Sequence, residues 1–278
     1  MRPLRFAPGL TLVLALTLTG LAQAADTAPD PDTEIWRKVK SALFGDRPVS
    51  TDAAAVIQLE APARAEDAAT VPIALKTRLP QRPERYIQRV YLIIDKNPSP
   101  LAAVFHFSPE AGRADLETRV RIEEYTHIRA VAELSDGRLY ATTRYIKASG
   151  GCSAPASKDP AAALARLGKM KFRMDAPVAL HQPNLVQLMI SHPNHSGLAM
   201  DQLTRLYTPA HYVRQVTVTY AGKPVLTAEV DFSISENPNF RFYFVPRESG
   251  ELKAEVVDSK DLRFETSVLI RPGMAVGS

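Results

Sequence analysis

The sequence predicts an all-β protein of two β-sandwiches in tandem, with a short helix ahead of the first and another between them. Three observations carry this. From about residue 55, apolar residues recur with period two in runs of five to nine. Pro, Gly, Asn and Asp punctuate those runs at the spacing of a sandwich rather than of alternating strands and helices. Near the middle of the 278 residues, positions 153–170 break the pattern with a stretch rich in Ala, Pro, Ser and Lys.

The chain opens with Arg2 and Arg5, an apolar run from Leu10 to Leu21, and Ala22-Gln23-Ala24. Positive residues, a short apolar core and a small-x-small end are the parts of a secretory leader, with cleavage expected after Ala24. The apolar run is about half the ~20 residues a spanning helix needs. No cysteine follows the cleavage point to take a lipid. A protein free of the membrane after leader cleavage, in an oxidising compartment such as the periplasm, is therefore expected.

Residues 34–44 place Ile35, Trp36, Val39, Leu43 and Phe44 at helical spacing before Gly45. Strands are then expected over 55–61, 70–77, 87–95, 101–107, 119–123, 128–134 and 139–146. Asp136-Gly137 turns the last two into a hairpin. Arg119, Arg121 and Glu123 read as the solvated side of their strand. Asp159, Pro160 and Gly168 bracket a short helix inside the linker. Strands resume over 185–191, 213–220, 223–232 and 251–258, and a last one over 262–269. Phe240, Phe242 and Phe244 line the core face of one more. Each set has the size of an immunoglobulin-like module. The expected divisions are residues 1–24 as leader, 25–149 as the first sandwich, 150–170 as arm and linker, and 171–278 as the second sandwich.

The formal charge of +4, lowered by two when the leader arginines leave, is too slight to favour nucleic acid or an anionic membrane. With 45% apolar residues the chain reads as globular. The one cysteine, Cys152, follows Gly150-Gly151 and has only small or polar neighbours. Packing cysteines sit in apolar strands, so this one is expected on a pliable, solvent-displayed arm, with the glycines as hinge. A thiolate there attacks electrophilic sulfur. An intermolecular disulfide needs the same exposure.

His192 and His195, three residues apart, can chelate, but no further ligand lies near them in sequence, and Asp258 and Asp261 read as turn formers. No metal and no cofactor is expected. His106 and His127 read as strand residues, and His181 and His211 carry no signature. A Cys152–His127 or Cys152–His106 nucleophilic pair lacks any supporting motif, and no phosphate loop, dinucleotide fingerprint or CxxC occurs.

These features resemble the SoxYZ sulfur carriers, with both partners fused. The first half is similar to SoxY through the helix holding Trp36 and Phe44, the stretch Ala63 to Ile73, and Gly150-Gly151-Cys152. The second is similar to SoxZ through His192 to Gly197, Pro209 to Val213 and Ser235 to Pro238. The resemblance implies a non-enzymatic periplasmic carrier. Cys152 would hold a sulfur intermediate covalently, Gly150 and Gly151 would form the hinge, and the SoxZ-like half would be a companion without its own active site. Implied partners are periplasmic sulfur-oxidising enzymes or, as in similar fused carriers, a quinoprotein (PQQ) dehydrogenase system. Two departures stand out. The family's arm is a free C-terminus, whereas Ser153-Ala154-Pro155 continue the chain here, and Asn194 stands where the family tends to have Met. The alternative is an accessory binding module for such a dehydrogenase, without cargo.

Overall fold

The computed structural model describes residues 29–155, 160–201 and 204–274. The expected leader, and Asp159 as a helix cap, lie outside them. The elements in chain order are α1 (Glu34–Phe44), β1 (Val49–Ser50), β2 (Ile57–Glu60), β3 (Val71–Thr77), β4 (Ile87–Ile94), β5 (Leu101–Phe107), a 3-10 turn (Pro109–Ala111), β6 (Leu116–Val120), β7 (Thr126–Leu134) and β8 (Leu139–Ile146). They continue with α2 (Pro160–Ala165), β9 (Met170–Arg173), β10 (Asn184–Ile190), β11 (Val213–Tyr220), β12 (Lys223–Val230), β13 (Asn239–Phe244), β14 (Gly250–Asp258) and β15 (Arg263–Ile270). The protein is all-β, as expected, and no described helix is long and apolar enough to cross a membrane.

Two sheets face each other, in the orders β1-β8-β7-β4-β5-β12-β11-β14-β15 and β2-β3-β6-β13-β10-β9. Both run through the two halves of the chain. β5 pairs antiparallel with β12, from Leu226 opposite Phe107 to Val230 opposite Ala103. β6 pairs with β13 through Arg241 opposite Glu117 and Phe242 opposite Leu116. Each half thus offers an edge strand in each layer, and joining them satisfies backbone groups that a lone sandwich would leave open. Period-two patterning assigns faces but not neighbours, so this edge-to-edge union was invisible in the sequence. One core results, running from Leu59 and Leu75 through Phe105 to Phe240, Phe242 and Phe244.

Every residue of β7 is buried, because α1 covers the outer face of the sheet. Trp36 and Phe44 pack there with Ile93, Val131, Leu139 and Ala141. Thr33 caps α1 by accepting from the Trp36 N–H, and its hydroxyl donates to Asp95 Oδ2. Asp95 receives both arms of the Arg129 guanidinium, at 2.8 and 2.6 Å. That guanidinium lies 4.6 Å from the centre of the Trp36 ring.

The expected strand over 119–123 is shifted. β6 ends at Val120, and Arg121, read as solvated, is 1% exposed. The second half supplies the cover: Ser233 accepts from the Arg121 N–H, and the Asn194 carbonyl accepts from its guanidinium.

Candidate functional site

Residues 121–123, running on from β6, form the floor of the site. The Ile122 N–H donates to the Ala68 carbonyl on one side, and the Gly151 N–H donates to the Ile122 carbonyl on the other. The turn at Asn97 holds this floor from beneath. Its amide donates to the Arg121 carbonyl and to Ser233 Oγ, while its Oδ1 accepts from the Glu123 N–H. The sequence separates these groups widely; only the joined sheets bring them together.

Gly150, Gly151 and Cys152 lie on this floor rather than in solvent, and Cys152 is fully buried. This corrects the expectation of a displayed arm. The local reading failed because Ile122, Glu123 and Ser196, which hold this segment down, are remote in sequence. Glu123 clamps the segment: its carbonyl accepts from the Gly150 N–H, and its carboxylate accepts from the backbone of Cys152 at 2.8 Å and of Ser153 at 3.2 Å. Ser153 Oγ donates to Glu123 Oε1. From the second half, Ser196 Oγ donates to the Cys152 carbonyl.

The two glycines have separate structural reasons. Gly150 adopts φ +79°, which favours glycine. Gly151 has no such φ, but a Cβ there would fall 2.0 Å from the Ala68 carbonyl oxygen and 2.8 Å from the Ile122 nitrogen. It is glycine because two backbones nearly touch.

Electrostatics keep the docked sulfur protonated. Burial first, then the Glu123 carboxylate, push the Cys152 thiol up to about 12, against the opposing pull of Arg121. Since the thiolate is the nucleophile, the docked thiol is inert near neutral pH. Arg121 is itself depressed by burial, and its Nε has no hydrogen-bond partner among the described residues. Nearby Glu236 is raised by burial.

The histidines fall into three places. His106 is half-buried on β5 and pairs with Glu229 at 2.8 Å. His127, read as a strand residue, is buried in β7 beside Tyr145, and burial lowers its pKa. Neither is a hydrogen-bond partner of Cys152. His192 and His211 meet Asp258 in a buried group. The sequence reading that nothing lies near His192 to complete a ligand set is thereby corrected: the strands β11 and β14 deliver His211 and Asp258. Asp258 does form the expected turn, since its Oδ1 accepts from the Lys260 and Leu262 N–H groups. Its Oδ2 is free to face the imidazoles. Burial and the facing His211 bring His192 down to about 4, leaving it neutral near pH 7.

The chain matches the family of sulfur oxidation protein SoxY over residues 40–152, a match that ends on the cysteine itself, and the family of sulphur oxidation protein SoxZ over residues 172–268. Among solved structures it is similar to the sulfur carrier protein SoxY from Chlorobium limicola f thiosulfatophilum, at 27% identity, covering 40% of this chain and 89% of that one with a TM-score of 0.34. It is also similar to superoxide reductase (neelaredoxin) from Ignicoccus hospitalis, at 14% identity, covering 33% and 79% with a TM-score of 0.30. A third is a set of fibronectin(III)-like modules from Clostridium thermocellum, at 13% identity, covering 77% and 94% with a TM-score of 0.24. No curated protein matches the chain.

Proposed function

The chain belongs to the SoxYZ-like sulfur carriers, with the SoxY and SoxZ halves fused, and from that premise we propose that Cys152 carries a sulfur intermediate covalently and alternates between a docked, protected position and an undocked, reactive one. The observation that carries this is the location of the chain's single cysteine. It ends the SoxY match, and its segment is held by one carboxylate, the Ser196 hydroxyl and a few backbone hydrogen bonds. Such a latch opens without unfolding the sheets.

The moving piece is short. The Ala65 N–H donates to the Lys147 carbonyl, and the Lys147 N–H to the Ala63 carbonyl, so the chain stays pinned up to that point. On the far side, the Gly168 N–H is tied to Ser191. Ala148 is buried in the core, so the free run begins at Ser149, and three extended residues from there carry the sulfur at most ~10 Å outward. That is a lifted loop, suited to a partner with a shallow site that approaches this face. Once lifted, the thiol returns toward the ordinary value of ~8.5, where a usable fraction is thiolate at neutral pH. Joining it to a thiol-level sulfur through an S–S bond releases two electrons and two protons, so the partner that loads Cys152 is an oxidant. The leader and the oxidising compartment fit a periplasmic setting, with sulfur-oxidising enzymes or a quinoprotein dehydrogenase system as the source of that oxidant.

Intact-mass analysis of the mature protein from its native host, before and after a reductant, tests the reading. Sulfur-containing adducts that map to Cys152, vanish on reduction and are absent from a Cys152→Ser variant are expected. A thiol that is always bare, in cells consuming reduced sulfur or alcohols, would overturn cargo carriage and leave the sandwiches as a binding module.

A further inference from the structure

We propose that His192, His211 and Asp258 form a binding site for a divalent first-row transition cation of the Zn2+ type, in the SoxZ-like half and separate from the thiol. One nitrogen of each imidazole and one carboxylate oxygen all lie within 4.8 Å of one another. Three different places in the chain supply them: the loop after β10, the segment entering β11, and the end of β14. His192 and Asp258 are buried to within 1%, and His211 is 6% exposed, which leaves a way in beside it. The second observation is an unsatisfied atom. His192 Nε2 is buried with no hydrogen-bond partner among the described residues, and it lies 3.5 Å from Asp258 Oδ2. A buried polar group left this way costs free energy unless something fills the gap.

The spacing suits a cation. Zinc bonds of ~2.0 to 2.2 Å at tetrahedral angles hold their donor atoms roughly 3.3 Å apart. The His192–Asp258 distance already matches. His211 Nε2 and Asp258 Oδ2, now hydrogen-bonded at 2.6 Å, would open by less than about 1 Å, and two ion–ligand bonds would replace that hydrogen bond. Two imidazoles with a single carboxylate favour a borderline cation over Ca2+ or Mg2+, which prefer all-oxygen sets. For His211 Nε2 to bind the ion, the ring's one proton must sit on Nδ1, so the proton that Nε2 now shares with Asp258 Oδ2 moves there. On His192 the proton must sit on Nδ1 rather than Nε2, so the hydrogen bond that Nδ1 now accepts from the Asn194 N–H has to break. One neutral hydrogen bond is a small loss beside the ion–ligand bonds of a zinc site. Asn194 already sits at φ +46°, on the loop whose Ser196 holds Cys152, so the ion's arrival would be felt at the arm.

The test uses the full mature chain carrying Cys152→Ser, which removes the only thiol that could bind zinc and makes the result independent of cargo carriage. After dialysis against a chelator it is titrated with Zn2+ alone. One ion per chain at micromolar or lower concentration is expected, and X-ray absorption of the zinc-loaded protein should show two imidazoles and oxygen. Asp258→Asn keeps an oxygen for the two backbone N–H groups and should weaken binding at least tenfold, as should His192→Gln. Failure to bind Zn2+ at ten times that concentration overturns the site. So does a first shell lacking imidazole, which is read on protein without changes at the ligands and stands even if those variants misfold.

Discussion

Replacing Glu123 with alanine will make Cys152 react with iodoacetamide roughly thirtyfold faster at pH 7, while the sheets melt as before. The carboxylate accepts from the backbone of Cys152 and Ser153 and from the Ser153 hydroxyl. Losing two charge-assisted backbone bonds at a partly exposed carboxylate costs docking about 2 kcal/mol, close to a thirtyfold rise in the lifted population. The same change removes the negative charge that helps keep the thiol protonated. Gly151→Ala goes further, because its Cβ overlaps the Ala68 carbonyl and no docked geometry survives; its thiol should react like that of an unstructured peptide.

The pH profile carries the sign. Docking raises the thiol from the ~8.5 of a free cysteine to about 12. The proton's contribution to docking is therefore complete below about pH 8.5 and is lost progressively as pH climbs from there toward 12. In the unmodified protein the alkylation rate should rise about tenfold per pH unit straight through 8.5. In Gly151→Ala it should level off there. A wild-type rate that plateaus near 8.5 at the value of a small thiol would show that the sulfur is not docked in solution.

The residues explain which parts of this arrangement were legible in the sequence. The helix Glu34–Phe44 and the strands Leu101–Phe107, Leu139–Ile146 and Val213–Tyr220 fall where their periodicity places them, because each buries one stripe or one face against a core. β9, at the junction of the stretch read as linker and the second sandwich, was missed. It is a four-residue edge strand with Lys171 and Arg173 exposed and only Phe172 fully buried, too short to show a period. The thiol's surroundings were missed for a different reason. Small, polar neighbours in sequence predict exposure only if nothing distant covers them, and here Ile122, Glu123 and Ser196 do. A diglycine likewise has two physical causes, backbone freedom and backbone contact, and composition does not separate them. Asp258 was read as a turn former, which is correct for one of its oxygens; the second oxygen's role depends on His211, which is 47 residues away.

Asp95→Ala should cost about 3 to 5 kcal/mol, the effect of stripping the partner from a buried cation. The pair is 3% and 2% exposed, so Arg129 would keep its charge with no water to solvate it and only the Pro31 carbonyl and Thr143 hydroxyl as remaining acceptors. At roughly 2 to 4 °C per kcal/mol for a chain of this size, the melting temperature should fall by about 6 to 20 °C. Replacing both residues, Asp95→Ala with Arg129→Met, removes the stranded charge and should recover much of the loss. A single variant that melts within a degree or two of the parent would show that the pair is solvated. The consequence reaches the thiol, because Asp95 opens the turn whose Asn97 fixes the Arg121 carbonyl and the Glu123 N–H. If that turn loosens, Glu123 loses its aim, and Cys152 alkylation should quicken in Asp95→Ala well below the temperature at which the sheets unfold. The double variant, with the charge gone and the turn still closed by the Asp95 position's backbone bond to the His127 carbonyl, should bring the reaction back toward the parent rate.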